Sequence, residues 1–248
     1  VVATSPTAAL DEAHAIRAAE LAASTAMGEL GADLLLDLCG RRPLRVMTIC
    51  NTGGLATVER GTALAVIQTL HERELLGEAI PLETRPLLQG GRLTTWELAR
   101  MGAPHRLIVD SAAASLLARG AADAVVAGAD RIAANGDTAN KIGTFALALA
   151  ARHAGVPFVI VAPESTVDVD TATGDDIEIE YRDADEVVAV RGTRMCPPDT
   201  DVINPAFDVT PAGFIDAIVT ETRVVRPADG ERVADDRRSD KAVLATDA

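Results

Sequence analysis

An α/β fold, a parallel sheet with helices on both faces preceded by an N-terminal helical segment, is predicted from this sequence by three observations. Short apolar runs such as Ala124-Val125-Val126-Ala127 alternate along the chain with longer stretches whose apolar residues recur at helical spacing. Strands this short, spaced by helices, imply right-handed βαβ crossovers. The 248 residues are 48% apolar but only 2% aromatic, so a substantial core must be built from Ala, Val, Leu and Ile, which suits close helix–strand layers. Several apolar runs empty into polar, glycine-punctuated segments, the way open α/β sheets place chemistry at the carboxyl ends of their strands. The expected sheet is Rossmann-like.

Taken in order, residues 8–38 read as one Ala-rich helix without an interior proline, and Gly40-Arg41-Arg42-Pro43 breaks it. Residues 1–42 are therefore an N-terminal helical segment. Residues 43–225 form the sheet domain, with strands expected over 44–49, 79–82, 106–109, 124–127, 157–162 and 186–190. Helices are expected over 61–75, 94–101, 112–118 and 141–153. A further helix is expected over 211–220, with Thr210 as N-cap and Pro211 as its first residue. Residues 226–248 are charged, lack periodicity and are expected to be a frayed or disordered tail.

The net charge of −14 argues against nucleic acid and anionic membrane surfaces as partners, but leaves room for a phosphorylated metabolite met by local cations and N–H groups. The three cysteines, Cys39, Cys50 and Cys196, are odd in number and lack metal-type spacing. This points to a reduced, cytoplasmic setting and to no metal site. No apolar run approaches the length of a membrane span, and no signal peptide is visible. The chain begins with Val, so a processed or truncated form of a longer protein is expected.

If the strands are right, Cys50-Asn51-Thr52-Gly53-Gly54, Glu83-Thr84-Arg85-Pro86, Asp110-Ser111 and Asp130-Arg131 project to one edge of the sheet. Cys50 is either a small apolar residue filling the sheet end or a functional thiol. The turn after it favours function, because Asn51 and Gly53 let backbone N–H groups approach a ligand. Asp130 is a helix cap, a partner for Arg131, or an acid whose proton affinity is raised by desolvation. Lys141, read as opening a helix, suits a phosphate; its alternative is a solvated surface lysine. Arg85 binds phosphate or pairs with Glu83, and Gln89 binds sugar hydroxyls or is simply exposed. Cys39 reads as structural and Cys196 as a loop residue. None of the four histidines is placed to act in catalysis, and no P-loop, zinc signature or Ser–His–Asp order is present.

Four motifs in order carry a resemblance over roughly residues 44–222: Cys50-Asn51-Thr52-Gly53, the run from Glu83 to Gly90, the run from Gly128 to Thr144, and the run from Asn204 to Pro211. In these the chain resembles the aldose–ketose isomerase family that contains methylthioribose-1-phosphate isomerase. That superfamily also holds ribose-1,5-bisphosphate isomerases and the regulatory subunits of the eukaryotic initiation-factor-2 exchange factor. The resemblance implies that Cys50 assists the transition state, Asp130 donates a proton, and Gln89, Asn140 and Lys141 hold the substrate. It implies conversion of 5-(methylthio)ribose 1-phosphate to 5-(methylthio)ribulose 1-phosphate in methionine salvage, without metal or other cofactor, by a homodimer. Ribose 1,5-bisphosphate and 5-deoxyribose 1-phosphate are alternative substrates. A non-catalytic regulatory binding protein is the rival class, against which the retained Asp130 speaks. The family's N-terminal domain, with an Arg-Gly-Ala phosphate loop and a further substrate-binding arginine, has no counterpart in residues 1–43. At Asp110-Ser111-Ala112-Ala113-Ala114 the family more often carries a bulkier residue. A Cys-dependent hydrolase is a weaker reading, since no histidine is placed to activate Cys50.

Overall fold

The computed structural model describes residues 5–40 and 42–234. Helix α1 (Pro6–Cys39) starts where Ser5 Oγ accepts from Ala8 N at 3.1 Å and Pro6 presets the first turn, and it stops at Gly40, whose φ is 88°. Then follow β1 (Leu44–Thr48), α2 (Ala63–Glu72), β2 (Leu76–Pro81), α3 (Thr95–Arg100), α4 (Ala113–Ala118) and β3 (Ala124–Ala127). A hairpin of β4 (Arg131–Ala133) and β5 (Thr138–Lys141) leads into α5 (Thr144–Ala154), β6 (Phe158–Val161) and β7 (Val167–Asp168). The chain closes with α6 (Asp185–Val188), β8 (Ala189–Val190), β9 (Thr193–Arg194), β10 (Phe207–Thr210), β11 (Ala217–Val219) and β12 (Val224–Val225).

The main sheet runs β12-β11-β6-β3-β1-β2, parallel except for β12. Beyond β2, His105 bridges to Ala79 and Ile108 to Leu82, both in parallel sense. Counting that segment as the third strand in sequence gives the order 3-2-1-4-5-6, whose reversal point lies between β1 and β3. One core packs α1 and α2 on Val46, Val126, Val159 and Val219; the other packs α4 and α5 on Met47, Val125, Ile160 and Ile218. α1 comes very close to α2 because Gly28 and Gly31 have no side chains, and a Cβ at Gly28 would meet Thr69 Oγ1 at 2.6 Å.

The layered fold is as expected, with local corrections. The strand expected over 106–109 is only a pair of bridges, and the one expected over 186–190 opens as the single turn α6 before the two residues of β8. The helix expected over 211–220 does not form. Thr210 ends β10, Pro211 is extended (ψ 141°), one 3-10 turn covers Ala212–Phe214, and the run to Val219 becomes the fully buried strand β11. Asp216 anchors that strand by accepting from Phe158 N at 2.7 Å. The polar segment after β3 is a hairpin and not a loop: Asn135-Gly136 is a turn pair, with Gly136 at φ 93°, and Asn135 Oδ1 accepts from Asp137 N at 3.0 Å. The tail expected from residue 226 does not hold at its start, since Val233 is fully buried against the second core; residues 235–248 lie outside the described residues.

Candidate active site

β1 delivers Cys50 to the reversal point in a left-handed backbone conformation, φ 67°, which is unfavourable for a residue with a Cβ. Two threonines hold it there. Thr84 Oγ1 accepts from Cys50 N at 2.9 Å, and Thr94 Oγ1 donates to Cys50 O at 2.6 Å. Thr84, also left-handed at φ 65°, is fixed by Asp110, whose carboxylate accepts from the N–H groups of Thr84 and Arg85 at 2.7 Å each. The Arg85–Pro86 bond is cis. Burial pushes the Cys50 thiol up; the Asn51 N–H and the Lys141 charge pull it part of the way back, and the Asp130 charge adds to the rise. The group therefore stays a thiol near neutral pH.

The turn after Cys50 is folded around a buried carboxylate. Glu97, 9% exposed on α3, accepts from Asn51 Nδ2 at 2.8 Å, Gly54 N at 2.7 Å and Leu55 N at 3.4 Å. A side chain at Gly53 would strike that carboxylate and Leu64. Asn51 spends its side-chain N–H groups on Glu97 and on Thr94 (3.3 Å), its backbone N–H on the Cys50 sulfur, and leaves its Oδ1 buried without a hydrogen-bond partner.

Asp130 follows β3. A strand succeeds it, so it caps no helix, and Arg131 pairs with Asp168 at 2.7 Å. Asp130 N donates to Ala139 O at 2.9 Å, but among the described residues nothing hydrogen bonds to the carboxylate. The side chain opens onto a cleft of about 320 Å³ walled by Ser165, Thr166 and Asp168. It is exposed along that cleft, yet protein crowds its flanks. This desolvation raises its pKa, and the Lys141 charge opposes the rise. Lys141 acts on both Cys50 and Asp130, and Asp130 acts on Cys50, so the three form one electrostatic group.

Lys141 ends β5 and does not open a helix, because β10 pairs with β5 as far as Phe207↔Lys141. It is 7% exposed; its Nζ donates to Ala206 O at 3.0 Å and stands 4.8 Å from the centre of the Phe207 ring. The first N–H groups of α5 are taken by Asp208, which accepts from Gly143 N at 2.7 Å and Phe145 N at 3.0 Å. They are therefore not available to the phosphate expected there. Asn140 Nδ2 donates to Thr144 Oγ1 at 2.9 Å. Gln89 sits just ahead of a π-helical turn, Gly90–Thr94, with Oε1 buried and unpartnered. The Arg85 guanidinium donates to Val187 O at 2.9 Å and Pro86 O at 3.2 Å, fastening its loop to α6. Small residues at 113 and 114 leave, with Ile49, Leu82 and Leu147, an apolar cavity of about 280 Å³.

Residue types place Thr84 and Asp110 at the site edge without giving them a role, and they missed Thr94, Glu97 and Asp208. Thr84 and Asp208 lie inside polar motifs that could have drawn attention to them; Glu97 is a single acid in an ordinary helical pattern and carries no local signal.

Residues 2–227 match the initiation factor 2 subunit family, and the chain belongs to it. Among relatives, it is 52% identical to a methylthioribose-1-phosphate isomerase of Xanthomonas oryzae pv. oryzae, over 90% of this chain and 61% of that protein. Its structure resembles the crystal structure of 5-methylthioribose 1-phosphate isomerase from Pyrococcus horikoshii (TM-score 0.83, 44% identity, 88% of this chain and 59% of that one). It also resembles the delta subunit of translation initiation factor eIF-2B from A. fulgidus (TM-score 0.85, 38% identity, 92% of this chain and 65% of that one). The chain thus spans roughly three fifths of the length of these relatives. Among the described residues, no helix is long and apolar enough to cross a membrane.

Proposed function

We propose that this chain carries the reacting groups of an isomerase that converts 5-(methylthio)ribose 1-phosphate to 5-(methylthio)ribulose 1-phosphate. The observation that carries the reading is Asp130: a carboxyl of raised pKa, free of hydrogen-bond partners among the described residues, and coupled to Cys50 and Lys141. A phosphate on C1 blocks simple ring opening, so the ring oxygen needs a proton as its bond to C1 breaks. Asp130 supplies that proton. When hydrogen has moved from C2 to C1, the C2 hydroxyl gives up its proton as the ketone forms, and the ionised Asp130 takes it back. One carboxyl thus serves both steps with no net change in protons.

In this reading Cys50, held as a neutral thiol, assists the transition state. Lys141 balances the charge of Asp130 and substrate phosphate, and Asn140 and Arg85 help to hold the substrate. Gln89 and Asn51 offer their unpartnered side-chain oxygens to sugar hydroxyls, and Gly53 offers a backbone N–H group. A homodimer in the cytoplasm belongs to the same proposal. The exposed side chains of Leu107 and Val109 at the β2 end of the sheet favour self-association, which light scattering checks. The test is an assay of the purified protein on methylthioribose 1-phosphate and ribose 1,5-bisphosphate, followed by phosphorus NMR. Ketose formation from the first supports the reading; turnover of the second alone reassigns the substrate. Turnover of neither overturns it in favour of a binding protein.

A further inference from the structure

Part of the scaffold of the candidate site converges on a carboxylate that no part of the proposed reaction uses. Glu97 lies on α3, outside the strand ends, and binds three donors of the Cys50 turn: Asn51 Nδ2, Gly54 N and Leu55 N. One turn earlier, Thr94 takes the Cys50 carbonyl at 2.6 Å and receives Asn51 Nδ2 at 3.3 Å. Gly53 lies so close that any side chain there would displace the Glu97 carboxylate. A buried carboxylate is expensive unless its lone pairs are used, and these are used on one five-residue turn. Hydrogen bonds to an ionised group are about twice as strong as neutral ones, so this contact can hold Cys50 in its left-handed conformation against the steric preference of its Cβ.

We infer that Glu97 is the positioning residue of this site: it sets the direction of the Cys50 thiol through Asn51 and Gly54 and touches no substrate. The inference rests on the proposed role of Cys50 in turnover. Glu97→Gln keeps the shape but puts an N–H group where only donors converge. It should lower kcat by about 10²-fold while KM changes less than threefold, the pattern expected when a reacting group is misplaced by about 1 Å. Iodoacetamide should alkylate Cys50 several-fold faster in the variant, because the thiol leaves its fixed position. In a Cys50→Ala background, Glu97→Gln should cause no further loss of kcat.

A purely structural role predicts a lowered melting temperature and a loss that persists in full in the Cys50→Ala background; that outcome overturns the inference. So does an unchanged alkylation rate. Should Glu97→Gln fail to fold, Gly53→Ala displaces the same carboxylate without removing it and must reproduce the loss of kcat and the faster alkylation. If Cys50→Ala alone turns over like the wild type, the role proposed for Cys50 fails, and the alkylation rate still decides whether Glu97 positions the thiol.

Discussion

Two aspartates bracket β3, and they are treated in opposite ways. Asp123, ahead of the strand, is shielded from water, which alone would push it up. Side-chain hydrogen bonds from Arg45 and Arg42 and the Arg45 backbone N–H more than reverse this and hold it well below the usual carboxylate range. Asp130, past the strand's other end, is desolvated too but receives no hydrogen bond among the described residues, and its pKa goes up. At the amino edge of the sheet arginines satisfy the carboxylate; at the carboxyl edge the Asp130 carboxyl has no hydrogen-bond partner among the described residues. Desolvation acts on both carboxyls, and the direction of the net shift follows from whether donors are supplied.

The largest effect expected from breaking this contrast is on turnover. Asp130→Asn should reduce kcat by about 10³-fold while substrate affinity, read by calorimetry, stays near normal; wild-type turnover would remove Asp130 from the mechanism. Cys50→Ser should slow the chemical step by about 10²-fold with an unchanged thermal melt, and a loss explained by unfolding would count against a catalytic role. At the other edge, Asp123→Asn should destabilise the fold by about 2 kcal/mol in urea titrations and leave the kinetics of surviving protein alone.

The two acids should also bend stability against pH in opposite directions. The pKa of Asp123 is depressed by folding, so its contribution is present above the unfolded value of about 3.9 and is lost as pH falls below it. The pKa of Asp130 is raised, so its ionisation weakens the fold as pH climbs from about 3.9 through the folded value. Asp130→Asn should therefore be neutral or slightly stabilising at pH 7, by less than about 1 kcal/mol. The smallest effect expected is a displacement: Lys141→Met removes the charge that lowers Asp130, so the limb of the rate profile set by Asp130 moves to higher pH.

Much of this was legible in the residues. The β1, β3 and β6 runs are short, mostly apolar and each preceded by a helical pattern, and Cys50 and Asp130 stand out because glycine-rich turns follow or surround them. The hairpin β4–β5 is absent from the expected elements because its turn pair, Asn135-Gly136, lies inside one of the polar, glycine-punctuated segments that read as site chemistry, and the misplaced start of α5 follows from that. β11 was mistaken for helix because Thr210-Pro211 imitates a helix start, while the partner that makes a strand of 217–219, β6, is 58 residues away in its Asp216–Phe158 anchor. Glu97, Thr94 and Thr84 act on the Cys50 turn across 34 to 46 residues of chain, and no local pattern reports contacts of that kind.

The central claim is that the acid following β3 is a proton donor because none of the described residues hydrogen bonds to its carboxyl. The most direct measurement is the carbon-13 NMR titration of the Asp130 carboxyl, set beside the pH dependence of kcat/KM in the same buffer. A carboxyl midpoint above the ordinary value of about 3.9, coincident with the pH at which kcat/KM begins to fall as its proton is lost, is the predicted result. A midpoint at or below that value, or a rate profile indifferent to it, would contradict the account.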